Sequence, residues 1–400
     1  MKFLTDINNE KYTEFIKSHK HGNMMQAIEW SSIKNTWGAV RVAVSDDEDN
    51  IIAAAQVLTR KGLWYVPRGP ILDYNNKELL GFFLTNLKKF AKTKQAKLVK
   101  LDIPIAVKDE KLADFKDVDV DRSNDELIKT FKSYGYNHKG FSLDMSSTIQ
   151  PRFNTVTKLE KPIPDLFSKD TRRLIRDADK KFVEVRRCGK ENLDDFLFAL
   201  ACTEKRKNIS LRGREYFENL LDTFGDNALL YISYINVEKA LKECHNRKEN
   251  LEKEIEELGE KSPKKKRTLE EQVAGTDKLI ALFNGLEIED KSKDQVISAA
   301  ITIAYGNHAE IIYAGMNEDF FTVFNQLGSC LGKLELCGYL VRAESCRERV
   351  KQRGHAIASG NEALSFEFVK IAADGKRRNF KSIGKIANGN LAILFKKAHD

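Results

Sequence analysis

Apolar residues along the first part of the chain follow two rhythms. Val40–Val44 and Ile51–Leu58 are rich in β-formers and are separated by the polar stretch SDDEDN, which predicts two strands joined by a turn. Leu63–Val66 predicts a short strand ending in a tight bend at Pro67-Arg68-Gly69-Pro70. Lys77–Lys94 sets Leu80, Phe83, Leu84, Leu87, Phe90 and Ala91 at helical spacing, and Asn124–Tyr134 predicts a further helix. Between them, Leu98–Ile103 alternates and stops at Pro104, predicting a strand with Asp102 at its C-terminal end. Strands alternating with helices predict a layered α/β domain.

The second half repeats the rhythm. Ser168–Lys181 predicts a strongly basic helix, Phe182–Arg186 a strand, Leu193–Lys205 and Tyr216–Thr223 helices, and Leu229–Tyr234 a strand. Val296–Tyr305 and Ala309–Ala314 form an apolar pair bridged by Gly306-Asn307, a hairpin signal. Two similar α/β lobes follow from this pattern, without enough identity between them to make a repeat.

The stretch between Tyr234 and Val296 is different. Val237, Leu241, Cys244, Leu251, Ile255 and Leu258 alternate spacings of four and three, with Lys248 at one seam position. Pro263 stops the pattern, which resumes at Leu269, Val273, Thr276, Ile280 and Phe283. Two stretches of ~20 residues, each ~30 Å long, would fold back as an antiparallel helical hairpin. So narrow a seam is satisfied by the partner helix alone, and such an arm can project from a body. The turn carries Lys261, Lys264, Lys265, Lys266 and Arg267. A run of this kind is commonly a solvated turn; the functional reading is a contact for nucleic-acid phosphates.

Composition narrows the classes. Hydrophobic residues are 42% of the 400 and charged residues 32%, enough apolar material for two domains with cores and too much for a disordered chain. The net charge of +8 permits a polyanionic partner without requiring one. Ile51–Leu58, the longest apolar run, is far shorter than the ~20 residues of a spanning helix, and MKFLTDINNEKY lacks the apolar core of a secretion signal, so a cytoplasmic protein is expected. The six cysteines (188, 202, 244, 330, 337 and 346) form no CxxC and no zinc spacing, and are expected to be reduced, buried thiols. The histidines look scattered, each a surface or capping residue.

No nucleophile elbow, HExxH, phosphate loop or GxGxxG is present, so covalent and metal-dependent hydrolysis are disfavoured. What remains is chemistry resting on positioning and charge stabilisation, such as transfer of an acyl group from an activated ester to an amine. Gln26, Trp30 and Lys34 are spaced four apart and are expected on one helical face. Trp30 reads as core, and Lys34 either as a ligand contact or as an ordinary surface lysine. Ser210-Leu-Arg212-Gly-Arg214-Glu-Tyr216 precedes a helix; Arg212 and Tyr216 suit a diphosphate or carboxylate, or else belong to a solvated loop. Tyr313 closes a strand in IIYAG.

Several stretches together resemble the Fem/Mur peptidoglycan-bridge aminoacyltransferases. They are Gln26-Ala-Ile-Glu-Trp30-Ser-Ser-Ile-Lys34, Pro67-Arg-Gly-Pro70, Gln150-Pro-Arg-Phe153, Thr171-Arg-Arg-Leu-Ile-Arg176-Asp-Ala178, Glu204-Lys-Arg206 with Arg212-Gly-Arg-Glu-Tyr216, and Tyr313-Ala-Gly315. Their order holds to about residue 320. The likeness fails after Asp319, where TVFNQLGSCLGKLELCGYLVRAESCRERVKQRG replaces the family's usual pattern. A divergent or frame-disturbed C-terminal segment is the reading of that stretch.

The resemblance implies an α/β (α+β) fold of two lobes like the acyl-CoA N-acyltransferases of the GNAT class, with an inserted antiparallel coiled-coil arm. It implies lobes at 1–148 and at 149–236 with 286–400, and an arm at 237–285. It implies transfer of an amino acid (Ala, Ser or Gly) from aminoacyl-tRNA to the stem-peptide lysine of lipid II or UDP-MurNAc-pentapeptide. Membrane contact would be peripheral, through a lipid-linked substrate; no cofactor, metal or DNA is implied. Lys34, Ser210, Arg212, Tyr216 and Tyr313 match positions that hold the precursor in the family. Asp102 matches a candidate general base. Phe380-Lys381, with Phe395-Lys396 as fallback, matches a pair that stabilises charge on the attacked ester. Lys261, Lys264, Lys265, Lys266 and Arg267 would meet the tRNA, and the basic helix Lys169–Lys181 would add to that surface. Two rival readings stand beside this one: a non-catalytic RNA-binding protein with a helical arm, and an acyl-CoA-dependent N-acyltransferase. The latter is disfavoured by the lack of a glycine-rich pyrophosphate loop.

Overall fold

A computed structural model describes residues 1–106, 125–140, 149–150, 155–158, 169–259, 261–320, 323 and 365–368. The chain divides into two units, one of Met1–Arg152 with Asp222–Asn227 and Ala304–Ala309, the other of the remainder.

In the first unit the two alternating runs become β2 (Gly38–Ser45) and β3 (Ile51–Arg60), paired antiparallel. They are flanked by β1 (Lys2–Leu4) and by β4 (Leu63–Val66), with β5 (Ile71–Leu72) also on β3. Helices α1 (Asn9–Ser18) and α2 (Ile28–Ile33) lie between β1 and β2 in sequence. Helix α3 (Lys77–Thr93) carries the chain from β4 to β6 (Leu98–Leu101), which pairs parallel with β4. Alternation decides the faces: Ala53, Ala55 and Val57 of β3 pack with Leu80, Phe83, Leu84 and Leu87 of α3. Helix α4 (Asp125–Ser133) adds Leu127 and Phe131 to that core.

Gln56 sits out of step with those alanines and is fully buried. Its side-chain amide donates to the Ala27 carbonyl at 2.5 Å, while Gln26 accepts from the Gln56 backbone N–H at 2.7 Å and donates to the Pro67 carbonyl at 2.5 Å. Gln26 is therefore structural. The expectation that it shares a helical face with Lys34 is corrected: Ala27 is extended and separates the short 3₁₀ turn Met24–Gln26 from α2. The chain breaks there because the Gln26 amide is committed to two other segments. The histidines are not all scattered either. His19 Nδ1 accepts the His21 backbone N–H at 3.1 Å, and the two half-buried rings lie 5.5 Å apart. Burial lowers both, His21 to about 4.

The second unit is built on a six-stranded sheet. Its members are β7 (Thr155–Lys158), β8 (Glu184–Cys188), β9 (Ala228–Asn236), β10 (Asp294–Tyr305), β11 (His308–Met316) and β12 (Ser365–Phe368), in the order β7-β12-β11-β10-β9-β8. Gly306, with φ +55°, opens the two-residue β10–β11 turn. Helices α5 (Lys169–Lys180), α6 (Leu193–Lys207) and all but the last three residues of α7 (Arg214–Phe224) belong to this unit.

Between β9 and β10 run two 22-residue helices, α8 (Val237–Leu258) and α9 (Pro263–Asn284), packed on each other. Every described seam position is buried or half-buried, including Cys244, Leu251, Leu269, Thr276 and Phe283. Lys248 leaves the seam at its edge to pair with Asp277 at 2.7 Å. The root of the pair is not independent of the body: Val237, Ala240, Cys244 and Phe283 share a core with Ala178 of α5, Val183, Ile235, Ile297 and Phe320. Of the cysteines expected to be buried, Cys244 is; Cys188, on an edge strand, and Cys202, within α6, are half-buried. Cys330, Cys337 and Cys346 lie outside the described residues.

Phe283 is fully buried in that root cluster. Phe283→Ala is expected to cost about 3–5 kcal/mol, read as a lower denaturation midpoint in urea.

Candidate functional site

Helix α6 ends because Asn208 turns left-handed, at φ +52°, which asparagine tolerates better than most residues. The next residue, Ile209, returns its N–H to the Glu204 carbonyl at 3.1 Å, and the Glu204 carboxylate accepts the Leu211 N–H. One acidic side chain thus shapes the loop that presents Ser210 and Arg212. Past the loop, Arg214 opens α7 and pairs with Asp194 of α6 and with Glu218.

Arg212, Tyr216 and Tyr313 come together. The Arg212 guanidinium lies 5.5 Å from the centre of the Tyr216 ring, and the Tyr216 and Tyr313 rings are 5.8 Å apart, edge to face. Tyr216 and Arg212 both act on the Tyr313 phenol. Tyr313 is buried; Tyr216 and Arg212 are half-buried, and Ser210 is exposed. Phe217 supports the pair from below, 4.9 Å from both Tyr313 and Phe196. Burial raises both phenols, Tyr216 the more strongly because the neighbouring Tyr313 adds to it. A fixed cation against two neutral phenols is suited to binding an anionic oxygen.

Gly315 explains the third residue of the Tyr313-Ala-Gly stretch. A Cβ there would lie 2.5 Å from the backbone carbon and oxygen of Ala199, so β11 can meet α6 only with glycine.

In the first unit Lys34 follows α2, with its ammonium 5.1 Å from the Trp30 ring centre. Asp102 lies just past β6, where Gly69 donates its N–H to the Asp102 carbonyl at 2.8 Å. The Tyr65 hydroxyl is 3.5 Å from the Asp102 carboxylate, and burial, then that charge, push the Tyr65 phenol far up. On the sequence Pro67–Pro70 reads as a bend and as one of the stretches that carry the resemblance, with no role for Arg68 itself. The structure shows that Arg68 within it is buried, left-handed at φ +47°, and close enough for its charge to act on Tyr65. The two prolines flanking an arginine and a glycine were the available signal.

At the outer end of the helix pair, Lys264, Lys265, Lys266 and Arg267 form the first turns of α9, and only Lys261 belongs to the connection. This corrects the expectation of five cations in one turn; Pro263, favoured at a first helical position, starts the helix early. Lys265 pairs with Glu254 at 2.8 Å and Arg267 with Glu271 at 3.1 Å. The first turn of α9 holds no acidic residue, so its cations stand against the positive end of the helix dipole. Phe380, Lys381, Phe395 and Lys396 lie outside the described residues.

Two outcomes follow. Gly315→Ala should lower thermal stability by about 1–3 kcal/mol, because the added methyl meets backbone. Both phenols have folded values above the unfolded ~10, so their contribution to stability is complete below pH ~10 and is lost as pH rises past it. In an absorbance titration Tyr216→Phe should leave the ordinary phenolate step unchanged and remove only a later one.

The FemAB family profile matches residues 7–325, ending where the sequence likeness also stops. The lipid II:glycine glycyltransferase of Staphylococcus aureus is 28% identical over 339 residues, which cover 78% of this chain and 76% of that protein. The same protein from strain bovine RF122 / ET3-1 is 29% identical. The crystal structure of FemX has the same fold, with a TM-score of 0.67, 24% identity, and coverage of 98% of this chain and 94% of that one. With a family match spanning most of its length, the chain belongs to the FemAB family.

Proposed function

We propose that this protein is an aminoacyltransferase of peptidoglycan bridge synthesis. It takes an amino acid (Ala, Ser or Gly) from aminoacyl-tRNA and joins it to the stem-peptide lysine of lipid II or UDP-MurNAc-pentapeptide. The observation that carries this is the Arg212–Tyr216–Tyr313 cluster, an anion receptor in a FemAB chain whose relatives are named lipid II:glycine glycyltransferases.

In this reading the neutral lysine ε-amine attacks the ester carbonyl. The nitrogen–carbon bond forms, the carbon–oxygen bond to the tRNA ribose breaks, and the amine's proton ends on the released hydroxyl or in solvent. The ester arrives activated, so alignment and charge stabilisation are the protein's tasks. Arg212 would bind a diphosphate oxygen, with Tyr216, Tyr313 and Ser210 lining the precursor's path. Lys34 would contribute a second cation, and Asp102 would serve as acceptor of a proton or hydrogen bond. Lys381 beside Phe380, or Lys396 beside Phe395, would face the developing oxyanion.

The helix pair is read as a coiled-coil arm, residues 237–285, inserted into an N-acyltransferase-like second lobe of 149–236 and 286–400. A first lobe of the same kind would occupy 1–148. Lys261, Lys264, Lys265, Lys266 and Arg267 would meet tRNA phosphates. Support comes from the excess of cations at the start of α9, whose first turn holds no acidic residue: an anion there relieves both like-charge repulsion and the opposed helix dipole.

Radiolabelled aminoacyl-tRNA mixed with lipid II should give a branched product. Binding of tRNA without transfer would leave a non-catalytic module, and transfer from acyl-CoA in its place would make this an N-acyltransferase. Lys34→Ala and Arg212→Ala should each raise KM for the precursor by about 10–100-fold. Unchanged kinetics in both would remove the site assignment.

A further inference from the structure

Helix α5, which the resemblance would add to the tRNA-facing surface, has a geometry that favours a different polyanion. Lys169, Arg172, Arg173, Arg176 and Lys180 are all exposed. At 3.6 residues per turn these five positions share an arc of about 100° and a length of about 16 Å. Ile175 and Ala178 occupy the opposite side and are buried, Ala178 within the core that also holds the root of the helix pair. The acidic positions fall outside the arc, and Asp177 is engaged with Lys181 at 2.8 Å. The result is a straight ridge of cations on a helix whose apolar side is anchored in the body.

The ridge is only partly compensated within its own helix, where Asp170, Asp177 and Asp179 lie three or four positions from Arg173, Arg176 and Lys180. Lys169 with Arg172 and Arg173, Arg176 with Arg172 and Arg173, and Lys180 with Arg176 are like charges at spacings of three or four, which repel. A complementary anionic surface removes that repulsion.

We propose that the outer face of α5 docks on an anionic phospholipid surface. All five side chains extend from one narrow, straight line, so they reach a plane together. A nucleic-acid backbone winds away from such a line after a few phosphates. The sequence KDTRRLIRDADK contains no aromatic residue on which a base could stack. The attachment is electrostatic, peripheral and sensitive to salt. This assignment replaces the expectation that α5 adds to the tRNA-facing surface and does not depend on the transferase reading, and the test uses vesicles that carry no lipid II.

The experiment is vesicle flotation of the full chain, with tRNA binding measured in parallel by gel shift. The wild-type protein should float with vesicles of phosphatidylcholine and phosphatidylglycerol at low salt, and should not float with phosphatidylcholine alone. The R172Q/R173Q/R176Q protein should bind the anionic vesicles about a hundredfold more weakly, at roughly 1 kcal/mol per cation. A control of equal charge loss, Lys61→Gln with Lys88→Gln and Lys89→Gln, should bind as wild type. Should the ridge triple variant melt early, Arg172→Gln and Arg176→Gln alone should each weaken binding about fivefold. Three results overturn the proposal: no flotation of wild type, equal weakening in both triple variants, or loss of tRNA binding with vesicle binding retained in the ridge variant.

Discussion

Gly315 brings the backbone of β11 onto the backbone of α6, and the geometry of the second unit's polar cluster follows from that contact. With the strand seated on the helix, Thr203 of α6 accepts the Met316 N–H at 3.1 Å. Tyr313 then faces Phe217, and its hydroxyl lies where Tyr216 and Arg212 both reach it. Any side chain at 315 would lift the strand, and the guanidinium would lose its fixed partner. The loop between α6 and α7 is held in the same economical way, by the Glu204 carboxylate on the Leu211 N–H. Two local contacts thus prepare a cationic group before any ligand arrives, which reduces the ordering cost of binding.

The helix pair solves a different problem. Its seam is too narrow to bury a whole helix face, so stability concentrates at the root, where Cys244 and Phe283 join the core beneath the sheet. Among the described residues, the helices away from the root pack on each other, along with pairs such as Lys248 with Asp277. Exposed ion pairs of this kind contribute little. The outer end is therefore free to carry a charge distribution that weakens the helix locally, because little of the body's packing depends on it. The same logic applies to α5, where two buried residues anchor the helix and release its other face from any packing duty.

Much of this fold can be read from periodicity. The seam residues, the β2–β3 pair, α3 and the Gly306-Asn307 hairpin each follow from a single local pattern. What periodicity does not carry is the commitment of polar side chains to distant backbone. Gln26, Trp30 and Lys34 have helical spacing, yet the helix breaks at Ala27 because Gln26 is bonded to Gln56 and Pro67, about 30 and 40 positions away. Arg68 was hidden for the same reason: its burial depends on how the bend between two prolines meets Tyr65 and β6. Arg212, Tyr216 and Tyr313 were legible as separate polar residues and through resemblance. Their convergence across roughly a hundred residues, with the helix pair inserted between them, depends on how β11 packs against α6 and α7, which no local pattern carries.

The chemistry of the cluster also limits its role in the proposed reaction. Burial holds Tyr216 and Tyr313 as neutral phenols well above ordinary tyrosine. Neither can take a proton from an ammonium near neutral pH, since each already carries its own and its conjugate base is disfavoured. The Tyr313 phenol lies beside a guanidinium and a second phenol, which suits it to hydrogen bonding and not to acting as a base. The cluster can bind and orient an anion, and nothing in it drives proton transfer. Deprotonation of the attacking amine must come from another acceptor or from solvent, and the rate of the proposed transfer would then follow the ionisation of the substrate lysine.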